Sequence, residues 1–88
     1  MEFEQYRFFV STAEEKSVIK AADKLYVTRQ TISAALNRME DEAGFPLFKR
    51  SNQGMELTEE GLVYYKKAKK LLKDFERLNA DIKGYGRR

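Results

Sequence analysis

Residues 27–40 read V-T-R-Q-T-I-S-A-A-L-N-R-M-E, and no acid occurs between Val27 and Met39. Ile32, Ala35, Leu36 and Met39 recur at helical spacing and form one apolar stripe. The rest of that helix offers Arg29, Gln30, Thr31, Ser33, Ala34, Asn37 and Arg38. Water-facing helix surfaces ordinarily mix both signs of charge. A surface of small, hydrogen-bonding and cationic groups suits an anionic partner whose edges must be approached closely. The Gln30 amide can donate and accept at once, which matches an adenine edge. The Arg29 guanidinium matches a guanine edge, and Thr31 or Ala34 can touch a thymine methyl. Ser33 and Ala34 leave room for close approach. Further along, Lys49 and Arg50 precede the turn residues Asn52 and Gln53. Two cations beside a turn fit a clamp on a phosphate backbone.

Other chemistries find little support. The chain has no Cys and no His. Disulfides, thiolate metal sites and the commonest general base are therefore excluded. There is no Gly-rich phosphate loop. Glu40, Asp41 and Glu42 are adjacent, so their carboxylates point around a helix rather than converge, and a structural or solvated role is expected. The cations Lys66, Lys67, Lys69, Lys70 and Lys73 read as the solvated back of a long helix. No enzyme is expected, and neither a cofactor nor a metal.

Eighty-eight residues suffice for one domain with a modest core. The content is 42% hydrophobic and 35% charged, as in a folded, soluble, helix-rich protein. No apolar run approaches the roughly 20 residues of a membrane span. The acidic, aromatic start M-E-F-E-Q-Y is unlike a signal peptide. A cytoplasmic protein without membrane contact is expected. The net charge of +3 is unevenly spread. Residues 1–44 hold six cations against eight acids, and residues 45–88 hold eleven against six. Such asymmetry hints at an anionic partner.

The elements that must position these groups follow from periodicity and caps. Phe3, Tyr6, Phe9, Val10 and Ala13 predict a helix to about Glu15. Ser17 is the N-cap of a short second helix with a stripe of Val18, Ala21, Ala22 and Leu25. Thr28 caps the third helix, Val27 and Ile32 have the spacing of a hydrophobic staple, and Gly44 ends it at about Ala43. Two helices joined by about three residues have the spacing of a helix-turn-helix. Residues 47–57 read as a small β-hairpin. Thr58 caps a final helix expected to run to about Lys83 and to end at Gly84. That helix is too long for so small a domain to bury. Tyr65, Ala68, Leu72, Phe75, Asn79 and Ile82, widened by Tyr64, Leu71 and Leu78, form a heptad-type seam that implies a partner helix.

Three strings carry a family resemblance: F-F-V-S-T-A-E-E-K-S-V-I-K-A-A-D-K-L-Y-V-T, T-I-S-A-A-L-N-R-M-E-D-E-A-G-F-P-L-F-K-R and L-T-E-E-G. They resemble the N-terminal domain of LysR-type transcriptional regulators, without a gap from about Phe3 to Gly61. Ala21, Ala22, Leu25, Ser33, Gly44, Leu47, Phe48, Arg50, Leu57 and Thr58 stand at motif positions. The remainder resembles the family's linker helix. The resemblance implies a bacterial transcription factor that binds an interrupted palindromic operator as a homodimer or tetramer, with linker helices paired antiparallel. It implies that Arg29, Gln30, Ser33 and Ala34 face DNA and that Arg50 supports the wing and a phosphate contact. Many members have Pro at the position of Gln30 and Arg at that of Ala34. Members also carry a C-terminal effector-binding domain. The resemblance thus implies an excised DNA-binding domain or a natural short form, with any small-molecule effector bound by a domain absent here.

The expected fold is mainly α: a winged helix-turn-helix of three helices and a small β-hairpin over residues 1–57, then a dimerisation helix and short tail over 58–88. The expected function is sequence-specific binding of double-stranded DNA as a homodimer, in a nucleoid-associated bacterial regulator. The DNA-binding set is Thr28, Arg29, Gln30, Thr31, Ser33, Ala34, Asn37, Arg38, Lys49, Arg50 and Gln53. The rival is a coiled-coil protein-interaction adaptor that binds no DNA.

Overall fold

The computed structural model describes residues 2–86. In chain order it contains α1 (Phe3–Glu15), α2 (Val18–Leu25), α3 (Arg29–Ala43), β1 (Phe48–Ser51), β2 (Gly54–Leu57) and α4 (Glu59–Gly86). This is the mainly helical winged helix-turn-helix expected, with a long terminal helix. The tail residues Arg87 and Arg88 lie outside the described residues.

Local capping sets most boundaries. The Ser17 hydroxyl accepts from the Lys20 amide at 3.1 Å, and the Thr28 hydroxyl accepts from the Thr31 amide at 3.2 Å. Each bond satisfies one amide that a helix start leaves without a partner. Tyr26 closes α2 in the left-handed conformation (φ 58°). Gly44 closes α3 at φ 84°, where its amide donates to the Glu40 carbonyl at 2.9 Å. Thr58 ties α4 to the preceding chain. Its amide donates to the Leu47 carbonyl at 3.0 Å, and its hydroxyl donates to the Pro46 carbonyl at 2.8 Å.

α1 is the hub of the domain, packed against α2, α3 and α4. It therefore buries more than the single stripe its periodicity suggests: Gln5, Phe8 and Thr12 are buried beside Phe9 and Val10. Thr12 is accommodated by donating its hydroxyl to the Phe8 carbonyl at 2.8 Å. Phe9, Ile32, Met39 and Leu47 form the centre of the core. Ala21 and Ala22 let α2 approach closely.

The wing is an antiparallel hairpin pairing Phe48 with Leu57, Lys49 with Glu56, Arg50 with Met55 and Ser51 with Gly54. Both ends are anchored. At its base, one Glu40 carboxylate oxygen accepts from the Leu47 amide (2.7 Å) and the Phe48 amide (3.2 Å). At its tip, the Met55 amide donates to the Lys16 carbonyl at 3.0 Å. A Cβ on Gly54, whose φ is 107°, would strike that carbonyl. Gly61 is equally constrained, because a Cβ there would strike the Leu47 carbonyl, just before β1.

Two sequence expectations for α4 are corrected. Gly84 does not end the helix, which continues to Gly86. Nothing packs within 4 Å of where its side chain would be, and no left-handed turn forms there. An exposed glycine lowers helix stability by about 1 kcal/mol but does not by itself stop a helix. The seam is also divided between two tasks. Ala68 is only 4% exposed, and Tyr65 and Leu72 are half-buried against the chain's own core. These three residues dock α4 onto α1, and Ala68 keeps almost no surface for a partner. The core thus continues past residue 57 to about Leu72.

A polar clasp supports this docking. The Tyr65 hydroxyl donates to the Glu14 carboxylate at 2.8 Å, Lys69 lies 2.9 Å from the same oxygen, and Lys69 donates to the Tyr65 hydroxyl at 3.2 Å. Hydrogen bonding from Lys69 outweighs partial burial and holds the Glu14 carboxyl below its usual range. The same bond holds the Lys69 ammonium above its usual range.

Candidate nucleic-acid interface

α3 turns Ile32, Ala35, Leu36 and Met39 into the core. Thr28, Arg29, Gln30, Thr31, Ser33, Ala34, Asn37 and Arg38 are all exposed, as are Lys49, Arg50 and Gln53 on the wing. The exposed α3 residues form two adjacent rows at four-residue spacing. Arg29, Ser33 and Asn37 make the row nearer the wing. Gln30, Ala34 and Arg38 make the outer row.

The inner row and the wing converge. An open groove of about 740 Å³ is lined by Arg29 and Ser33 of α3, by Arg50, Ser51 and Gln53 of the hairpin, and by residues 15–20 around the start of α2. A smaller groove of about 210 Å³ continues it between Ser33 and Asn37 on one side and Lys49 and Arg50 on the other. Ser33 and Arg50 line both. Neither groove includes Thr28, Gln30, Thr31, Ala34 or Arg38. The structure therefore brings together six of the eleven candidate residues and leaves five on the open outer face.

Fixed geometry underlies this convergence. Glu40 and the Lys16 carbonyl hold the two ends of the hairpin, so the strand that carries Arg50 is kept beside α3. Among the described residues, Arg29, Arg38, Lys49 and Arg50 make no ion pair within 4.0 Å. Their charge is available to an external anion. Lys16, Ser17 and Lys20 join the same groove and were missed by sequence reasoning. Ser17 had been recognised only as a cap. Lysines on both sides of an N-cap were the available signal, because a helix start favours anions.

The seam residues left outside the core stand apart from this face. Leu71, Leu78, Asn79 and Ile82 are exposed. Phe75 is partly covered by Phe3, with ring centroids 4.3 Å apart, and Tyr64 lies beside Phe45 at 5.8 Å. Among the described residues, no helix is long and apolar enough to cross a membrane, and no acidic cluster is placed to hold a metal ion.

Fold and surface together define a winged helix-turn-helix with an appended helix. Residues 3–62 match the family model described as bacterial regulatory helix-turn-helix protein, lysR family. The chain belongs to this family, whose members are regulators rather than enzymes. It is 40% identical over 72 residues to the HTH-type transcriptional regulator BudR of Klebsiella aerogenes, an alignment covering 82% of the chain and 50% of BudR. It is 40% identical over 77 residues to BsdA of Bacillus subtilis (strain 168), covering 86% of the chain and 27% of BsdA. The chain thus spans half or less of these relatives. Among solved structures it is similar to the BenM DNA-binding domain in complex with catB site 1 DNA. The TM-score is 0.92 at 34% identity, over 98% of this chain and 97% of that one.

Proposed function

We propose that this chain binds duplex DNA sequence-specifically as a homodimer, within a bacterial transcriptional regulator located in the cytoplasm at the nucleoid. α3 enters the major groove by its N-terminal half. Its outer row, Gln30, Ala34 and Arg38, meets base edges together with Arg29. The wing cations Lys49 and Arg50, with Gln53, hold phosphates. Residues 1–57 supply the reading surface, and residues 58–88 join two copies so that two half-sites of an interrupted palindrome are read together. A small-molecule effector acts through a further domain of the whole regulator, as the length of the relatives suggests.

The observation that carries this reading is the exposed side of α3 from Arg29 to Arg38, which carries no acid and on which Ser33 lies between Arg29 and the wing's Arg50, cations without an ion pair among the described residues. Phosphates and base edges would repel acids there, and bulky side chains would hold the helix out of the groove. The BenM complex with DNA, a neighbour of the same shape, supports the placement. An adaptor that binds no DNA would need the exposed α4 seam but has no use for this face. A salt titration separates the two. Binding to duplex should weaken linearly in log–log form by about 0.9 per phosphate neutralised. Affinity unchanged between low and moderate salt would sink the DNA reading.

A further inference from the structure

α1, the end of α2 and α4 border a further groove, of about 620 Å³. None of the eleven candidate DNA-binding residues lines it, and of the seam residues that stay exposed only Phe75 does. Its lining runs from Phe3 to Glu14, about 16 Å along α1. The Phe3 and Phe75 rings, 4.3 Å apart, stand at one end, and the Glu14–Lys69 ion pair, at 2.9 Å, stands at the other. Val10, Leu25 and Leu72 supply apolar surface between them. A concave, largely apolar lining of this size with a few polar groups is the form of a small-molecule site.

Ser11 is the anomaly in this groove. It lines the groove and is only 6% exposed, and its hydroxyl has no hydrogen-bond partner among the described residues. Thr12, next to it, donates to the carbonyl four residues back, whereas Ser11 does not. A buried hydroxyl left without a partner destabilises the fold that holds it, and folded proteins keep few of them. The charges around it are unevenly satisfied as well. Within the groove, Arg7 pairs with Glu4 and Lys69 with Glu14. Lys24 is held only by Glu15, which is 3.6 Å away and does not line the groove. Among the described residues, Lys73 and Glu76 make no ion pair within 4.0 Å. Two cations, one on α2 and one on α4, are thus set against one acid.

We propose that this groove binds an amphipathic monocarboxylate with an unbranched apolar chain. The Ser11 hydroxyl donates to the carboxylate, and Lys24 and Lys73 balance its charge. The chain lies over Val10 and Leu72 toward the Phe3 and Phe75 rings. A ligand so placed touches α1, α2 and α4 at once, and therefore stiffens the joint between the helix-turn-helix and the long helix. The site stands independently of the DNA reading above.

Decanoate is the probe, with decylamine and decanol as controls, all added to the full chain. Decanoate should shift the methyl NMR signals of Val10, Leu25 and Leu72, and should raise the melting temperature as its concentration rises. Both controls should bind several-fold more weakly. Ser11→Ala should weaken decanoate binding about tenfold, as the loss of a hydrogen bond to a charged group does. The ligand-free variant should melt no lower than the unmutated chain, because no bond within the fold is lost. Lys73→Glu should weaken binding several-fold. Failure of decanoate to bind overturns the site, and so do shifts confined to Leu71, Leu78 and Ile82, which would place the probe on the seam. Decylamine binding as tightly as decanoate, or full affinity in both variants, overturns the assigned ligand chemistry. A lower ligand-free melt in Ser11→Ala would show that the hydroxyl serves the fold instead. None of these measurements involves DNA, so their failure leaves the DNA reading intact.

Discussion

Two surfaces of this small protein are left uncovered by its fold, and they are opposites. The face of α3 and the wing exposes short, uncharged side chains among unpaired cations. The distal half of α4 exposes large aliphatic side chains in a seven-residue rhythm. Both fail to be ordinary water-facing surfaces, for different reasons. The first carries no acid between Arg29 and Arg38, which favours a polyanion, and its attraction falls with salt. The second withholds polar groups, which favours another apolar helix, and its attraction barely responds to salt. One chain thus carries two recognition problems on two elements, linked by the rigid docking of α4 onto α1.

The contrast breaks most visibly at Leu78. Leu78→Asp should give monomers and weaken DNA binding together. Burying a large apolar side chain contributes roughly 1.5–3 kcal/mol, and a two-fold interface uses each position twice. Leu78 suits this test better than Leu72, whose burial in the chain's own core would confound assembly with folding. Sedimentation and a DNA titration of one preparation decide it. A variant of unchanged mass would show that the seam does not join the copies.

Glu40→Ala is expected to act next most strongly, on the proposed DNA face alone. It leaves the Leu47 and Phe48 amides without their acceptor in a partly buried site, at about 1–3 kcal/mol for an amide left unpaired. The melting temperature should fall and the wing should loosen, while the dimer persists. Unchanged melting would mean that Glu40 does not anchor the wing.

Within the proposed DNA face, Gln30→Ala and Arg50→Ala should part company. Loss of a bidentate base contact costs about 1–3 kcal/mol of discrimination at one base pair per half-site and leaves the salt slope nearly intact. Arg50→Ala should weaken all sequences alike and make the slope about one unit shallower. If instead Arg50→Ala alters the selected sequence and Gln30→Ala does not, the wing is the reader.

The smallest effect concerns the joint between the two regions. Glu14 has a depressed pKa in the folded chain, chiefly because Lys69 hydrogen-bonds its charged form. The resulting stabilisation is present above the ordinary carboxylate range and is lost as the pH falls through the depressed value. Acid should therefore loosen α4 from α1, slightly, since the group is partly exposed and exposed pairs contribute little. Thermal melts of Glu14→Gln should lack this acidic component. An identical pH profile in the variant would remove the clasp from the account.

Features that depend on neighbours three or four residues away were legible in the sequence. Ser17, Thr28, Gly44 and Thr58 mark helix ends because a cap bonds within its own turn. The buried stripe of α3, and with it the exposed face, follows from helical period alone. Tertiary structure decided what depends on distant neighbours. Glu40 looks like one of three solvated acids until the hairpin folds back and presents two amides to it. Gly54 and Gly61 look like ordinary turn and helix residues until the Lys16 and Leu47 carbonyls arrive beside them. Lys16, Ser17 and Lys20 join the candidate interface only because the wing tip is fastened to the turn before α2. The heptad pattern of α4 likewise announces one seam, since periodicity records that a side chain is apolar and not which neighbour covers it. Only the docking of α1 separates Tyr65, Ala68 and Leu72, covered within the chain, from Leu71, Leu78 and Ile82, which remain open to a partner.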